Sequence, residues 1–212
     1  MNTLSKLANN IGTSITVLSH GKIALNKYMA SAIKNGIDVR DPEACMVVNI
    51  GMYTTDIIVI TMGRIISLRS ISTSCDTFLN DIIVYMDYMH STRIDESIAK
   101  QIWSAVGSAI PELENAPEPY IVLAPNTKTA FPMRVPVNHE EICHCLFRNL
   151  RSLIRFIERI YLSLPNDIQS NIIHRGIYIT GEGSSLRGIA KHIENSLYIP
   201  CTATGTSNVD MH

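Results

Sequence analysis

Hydrophobic and polar positions along this chain follow two periods, and the switches between them outline the elements. Met46-Val47-Val48 is an apolar run leading into Asn49-Ile50-Gly51 and a polar tip, Tyr53-Thr54-Thr55-Asp56. A second run, Ile57–Ile60, a turn at Met62-Gly63-Arg64 and a third strand over Ile65–Leu68 follow. Short continuous apolar runs bounded by turn residues predict strands buried on both faces. The period then lengthens. Phe78, Ile82, Ile83, Met86 and Met89 recur every three or four residues and predict an amphipathic helix over Cys75–His90. A further helix is predicted over Asp95–Ala109, ending near Gly107. Upstream, a short helix and a strand at Ile15–Leu18 precede a helical pattern over Lys22–Asn35, which Asn35-Gly36 would stop.

The pattern changes between Pro111 and Pro136, where six prolines punctuate short β-like runs at Tyr120–Leu123 and Met133–Val137. Central strands need a ladder donor at each residue, so this density predicts a small satellite outside the main sheet. Asn138 followed by Glu140 and Glu141 reads as a helix cap with acids in the first turn. The helix it opens runs from Ile142 to Leu164, with Leu146, Leu150, Leu153, Ile157, Ile160 and Leu164 as its buried stripe, and stops before Pro165. Then come a short helix (Asn166–Ile172), a buried strand (Gly176–Thr180) and a turn, Gly181-Glu182-Gly183-Ser184-Ser185. That turn opens a helix over Leu186–Leu197, and a last strand lies around Pro200–Ala203. Three strands and helices, then helix–strand–helix–strand after an insertion, is a mixed-sheet α/β order.

Composition adds bounds. The 212 residues are 46% hydrophobic and 17% charged with a formal net charge of -1, an ordinary globular balance that gives no electrostatic case for nucleic acid. Arg148, Arg151, Arg155 and Arg159 fall at helical spacing and read as the solvated face of the long helix. No apolar run reaches the ~18 residues of a membrane span, and the first residues lack the apolar stretch of a signal peptide. Five irregularly spaced cysteines predict a reducing, cytoplasmic setting rather than a disulfide framework. His139 and Cys143 form an i,i+4 pair, but two potential ligands without a distant partner pair do not make a metal site. No metal site is predicted.

Strand, tight turn, strand is an arrangement in which Gly and Thr can present N–H groups and hydroxyls to a phosphate. Asn49-Ile50-Gly51-Met52-Tyr53-Thr54-Thr55 resembles the second phosphate loop of the actin superfamily, written DIGGGTT in its bacterial MreB branch. Four further segments follow that branch in order. Leu25–Ile37 is similar to IEEPMAAAIGAGL, and Ser70–Ile83 to a segment carrying GGD, with Cys75-Asp76 at that place. Val106-Gly107-Ser108-Ala109 is similar to IGSA, and Gly176–Gly188 to GIVLTGGGALLRG. Together they cover roughly residues 20–205.

The resemblance implies an α/β, ribonuclease-H-like actin-type ATPase domain with a small inserted α+β subdomain. It divides the chain into 1-94 with 138-212 (the main domain) and 95-137 (the insertion). By resemblance, Asn49, Gly51, Thr54, Thr55, Asp76, Gly181, Glu182 and Gly183 stand where the family binds ATP or ADP with Mg. Four departures bear on that chemistry. Asn49 replaces a carboxylate that would hold metal-bound water. Met52 and Tyr53 replace glycines and would fill space that phosphates need. Glu182, in place of the middle glycine, would repel phosphates unless it turned outward. Lys27 falls where a water-orienting acceptor is expected, and a cation cannot play that part. Trp103 and Ala105 occupy the places of a Lys and a Glu that contact sugar and base, and these 212 residues hold no counterpart of the family's first phosphate loop.

No catalytic residue is therefore assigned, and the isolated chain is expected to bind nucleotide weakly and not to hydrolyse it. The resemblance implies a cytoskeletal, filament-forming protein with a role in cell shape, cytoplasmic or membrane-associated through partners, whose partners are copies of itself or another actin-like protein. Two alternatives stand beside it: an ATPase that tolerates the substitutions, and a nucleotide-free adaptor for a morphogenesis, division or pilus partner.

Overall fold

The computed structural model describes residues 37–204, apart from position 39. The expected strand at 15–18, the helix at 22–35 and Lys27 lie outside those residues. The first three described strands form an antiparallel meander: β1 (Cys45–Ile50), β2 (Thr55–Thr61) and β3 (Arg64–Ile71). Two later strands, β6 (Ile177–Thr180) and β7 (Cys201–Ala203), complete one mixed sheet in the order β3-β2-β1-β6-β7, with β6 parallel to both neighbours. Thus β1 is central and its residues are buried on both faces, as its unbroken apolar run requires. The period of two sends Met46, Val48 and Ile50 into the main core, and Cys45 and Val47 into a smaller cluster with Ile37, Ile58 and Ile60.

The helices are α1 (Cys75–His90), α2 (Glu96–Val106), α3 (His139–Leu162), α4 (Asn166–Arg175) and α5 (Ile189–Leu197). Phe78, Ile82 and Met86 of α1 are fully buried in the main core beside Ile142, Leu146 and Leu150 of α3. Each side chain of this size contributes about 1.5–3 kcal/mol on leaving water. The start of α3 is fixed by a reciprocal pair: Asn138 Oδ1 accepts from Glu141 N–H at 2.9 Å, and Glu141 Oε2 accepts from Asn138 N–H at 3.1 Å.

β4 (Tyr120–Pro125) and β5 (Pro132–Val137) pair with each other in a separate two-stranded sheet. Each strand there has an open side, which tolerates Pro125, Pro132 and Pro136. Their inward residues Val122, Ala124, Val135 and Val137 nevertheless join the main core.

Several expected boundaries move. β2 begins at Thr55, so Thr55 and Asp56 belong to the strand and not to the polar tip. α4 continues past Ile172 to Arg175, where Gly176 at φ 83 ends it. The last helix begins at Ile189, not Leu186, because Gly188 at φ 71 interrupts it and a 3-10 turn occupies Glu182–Ser185. Leu186 fits the apolar period because it is buried, not because it is helical.

Candidate functional site

Parallel pairing places the C-terminal ends of β1 and β6 side by side, and antiparallel pairing starts β2 at the same end. Asn49 lies opposite both Asp56 and Thr180 in register. The segments NIG, TT and TGEG therefore meet at one end of the sheet, where sheets of this kind bind ligands. Asn49 Oδ1 accepts a hydrogen bond from Thr180 Oγ1 at 3.1 Å, so the amide that replaces the expected carboxylate bridges the two strands.

Glycine is required here by the closeness of the two turns. Gly181 adopts φ 86, and a Cβ on it would stand 2.5 Å from the Ile50 carbonyl oxygen and 2.9 Å from Asn49 Oδ1. A Cβ on Gly183 would stand 2.2 Å from Ile50 Cγ2. At Gly51 a Cβ would lie 3.9 Å from Glu182 Oε2, so the exposed Glu182 places its carboxylate beside the turn between β1 and β2.

The turn between β1 and β2 is tied down from both sides. Gly51 N–H donates to the Thr54 carbonyl at 2.9 Å, while the Gly51 and Met52 carbonyls accept from Cys75 N–H (3.1 Å) and Asp76 N–H (2.9 Å) at the start of α1. Free N–H groups at a helix N-terminus make an anion site. Here the first two are used by the turn itself. Asp76 is exposed at the second position of α1. Thr54 is exposed at the tip. Thr55 is fully buried, and its hydroxyl donates to the Thr73 carbonyl at 2.7 Å. Asp56 accepts from Ser70 Oγ.

Two neighbouring side chains part at the tip: Tyr53 is 76% exposed, whereas Met52 packs inward on the core. Cys75 forms the floor, with Sγ 3.3 Å from where a Gly183 Cβ would be, and burial followed by the Glu182 carboxylate pushes its thiol up to about 12.

Other expected groups fall elsewhere. Trp103 is stacked on Phe78 with ring centroids 5.7 Å apart, so that face of the indole is already covered. The VGSA and LRG segments meet through a parallel bridge between Ser108 and Arg187, with Ala109 N–H donating to the Arg187 carbonyl at 2.8 Å. His139 Nε2 is 3.0 Å from the Pro111 carbonyl oxygen, and among the described residues no group of three or more His, Cys, Asp or Glu could hold a metal ion. Thr73 and Ser70 lie within the segment that resembles the family's GGD stretch, but nothing in the sequence singled them out as the partners of Thr55 and Asp56. Sequence reasoning also read the α3 arginines as a plain face, whereas they line a groove.

A family model described as MreB/Mbl protein matches residues 4–209. The chain belongs to the MreB/Mbl family. Within it, this chain is 29% identical over 185 residues to the cell shape-determining protein Mbl of Bacillus subtilis (strain 168), covering 83% of this chain and 55% of that protein. It is 28% identical over 206 residues to the cell shape-determining protein MreB of Escherichia coli (strain K12), covering 89% of this chain and 57% of that protein. This MreB/Mbl chain thus spans little more than half the length of these curated relatives. Among solved structures, MreB5 of Spiroplasma citri bound to AMPPNP superposes with a TM-score of 0.80 at 22% identity, over 84% of this chain and 53% of that one. The MamK double helical filament gives a TM-score of 0.61 at 16% identity, over 75% and 49%. These likenesses establish the actin-like fold.

Proposed function

We propose that this chain serves as an MreB-like cytoskeletal element that self-associates, with a strand-end site that binds nucleotide poorly and does not turn it over. In this reading 95-137 is a small inserted subdomain on a main domain formed by 1-94 and 138-212. The observation that carries it is the closed strand-end site: the Thr180–Asn49 bond spans the strands, the Glu182 carboxylate faces Gly51, and the turn carbonyls occupy the first N–H groups of α1. Phosphoryl transfer rests on positioning and charge neutralisation, and each of these features opposes one of the two. Self-association is carried over from the family and from the filament named for MamK. Sedimentation and negative-stain microscopy of the chain without nucleotide test the reading. Concentration-dependent oligomers or filaments support it, and a strict monomer at every concentration refutes it.

A second reading keeps ATP binding. MreB5 of Spiroplasma citri is named as bound to AMPPNP and, in a second structure, to ADP. Here Thr54 and Asp76 remain exposed at the site's edge. Nucleotide-dependent assembly would favour that reading.

A further inference from the structure

We propose that a groove along α3 receives the acidic segment Glu112–Glu118 of a second copy of this chain, in a head-to-tail contact that rests on the self-association proposed above. The groove, about 640 Å³, runs between the outer face of α3 and the end of β3. Arg148, Arg151, Arg155 and Arg159 line it, flanked by Phe147 and Phe156. Arg148 has a weak partner, Asp81 Oδ1 at 3.9 Å, whose other oxygen accepts from Asn149 Nδ2 at 2.6 Å. Arg151, Arg155 and Arg159 make no ion pair among the described residues. Glu158 sits on the same helix but does not line the groove.

The segment between α2 and β4 has the opposite character. Glu112, Glu114 and Glu118 are exposed, no basic residue lies between Val106 and Lys128, and Pro111, Pro117 and Pro119 restrict the backbone before any docking. The two features also match in length. Eleven residue steps of helix separate Arg148 from Arg159 by ~16 Å, and six steps of extended chain from Glu112 to Glu118 reach at most ~20 Å. Leu113 and Pro117 supply apolar groups for Phe147 and Phe156.

A chain cannot make this contact with itself. The Pro111 carbonyl is held by His139 at the first residue of α3, and Tyr120 pairs with Val137 immediately before that helix. Both ends of the segment are thus pinned at the N-terminal end of α3, while the arginines begin nine residues, or ~13 Å, further along and lead away. A donor and an acceptor at different places on one molecule make a heterologous contact, which propagates into a ring or a filament.

Charge exchange tests the pairing on the full chain by sedimentation velocity, with far-UV melts confirming that each variant folds. Arg151→Glu with Arg155→Glu, or Glu112→Arg, Glu114→Arg and Glu118→Arg, should each weaken self-association at least ~10-fold. The five substitutions together should restore it to within ~3-fold. Wild-type association should also weaken as salt rises. If the groove variant associates like wild type, the docking proposal fails while self-association stands; if wild type is monomeric, both fail. Loss in both single sets without recovery in the combined variant also overturns the pairing. A groove variant that still self-associates but no longer sediments with phosphatidylserine vesicles would reassign the groove to an anionic surface.

Discussion

Replacing Gly181 by alanine should show that the turn after β6 is demanded by strand packing. Gly181 combines φ 86 with extended ψ, a region essentially closed to other residues, at about 1–3 kcal/mol of strain. Its Cβ would meet the Ile50 carbonyl at 2.5 Å. That oxygen belongs to the last residue of the central strand, so relief requires β1 and β6 to part, an overpacking cost of about 1–3 kcal/mol. The sum is about 2–6 kcal/mol. Gly63 supplies the control, because it too has positive φ (68) but nothing lies within 4 Å of its Cβ position. Gly63→Ala should therefore cost only the left-handed penalty of about 1–2 kcal/mol. Urea denaturation followed by far-UV circular dichroism measures both, and the gap corresponds to ~4–8 °C in Tm. Equal losses for the two variants would refute the claim that close approach, and not backbone angle alone, fixes Gly181.

Two further outcomes follow from the same structure. The Cys75 thiol, pushed up to about 12 by burial and then by Glu182, should resist iodoacetamide at pH 8 in the folded chain and react on unfolding; mass spectrometry of the Cys75 peptide shows which, and rapid labelling of folded protein would count against a closed floor. Asn138→Ala removes half of the reciprocal cap on α3 and should cost about 1 kcal/mol by thermal melt, whereas no change would mean the long helix does not need its cap.

What the sequence made legible was local chemistry with a period. The bounds of α1 follow from the apolar stripe Phe78–Met89, and the presence of β1 and β2, though not the start of β2 at Thr55, from unbroken apolar runs between turn residues. The meeting of NIG with TGEG followed from strand order. Three things were not legible because they depend on direction or on distant partners. Tyr53 and Met52 are neighbours with similar bulk, and only the turn's geometry sends one outward and the other into the core. Leu186 keeps the apolar period while lying in extended backbone, which no periodicity argument detects. The arginines of α3 become a groove only through β3 and the two phenylalanines.

The most direct test of the central claim is calorimetric titration of the chain with ATP·Mg²⁺ beside a phosphate-release assay. Removing a single stabilising group from a preorganised site costs ~3–4 kcal/mol, and in the proposed reading Asn49 bears on the metal and Glu182 on the phosphates. The account predicts no resolvable heat at millimolar nucleotide and release at the background rate. Micromolar binding, about −8 kcal/mol, with release abolished by Asp56→Ala, would contradict it.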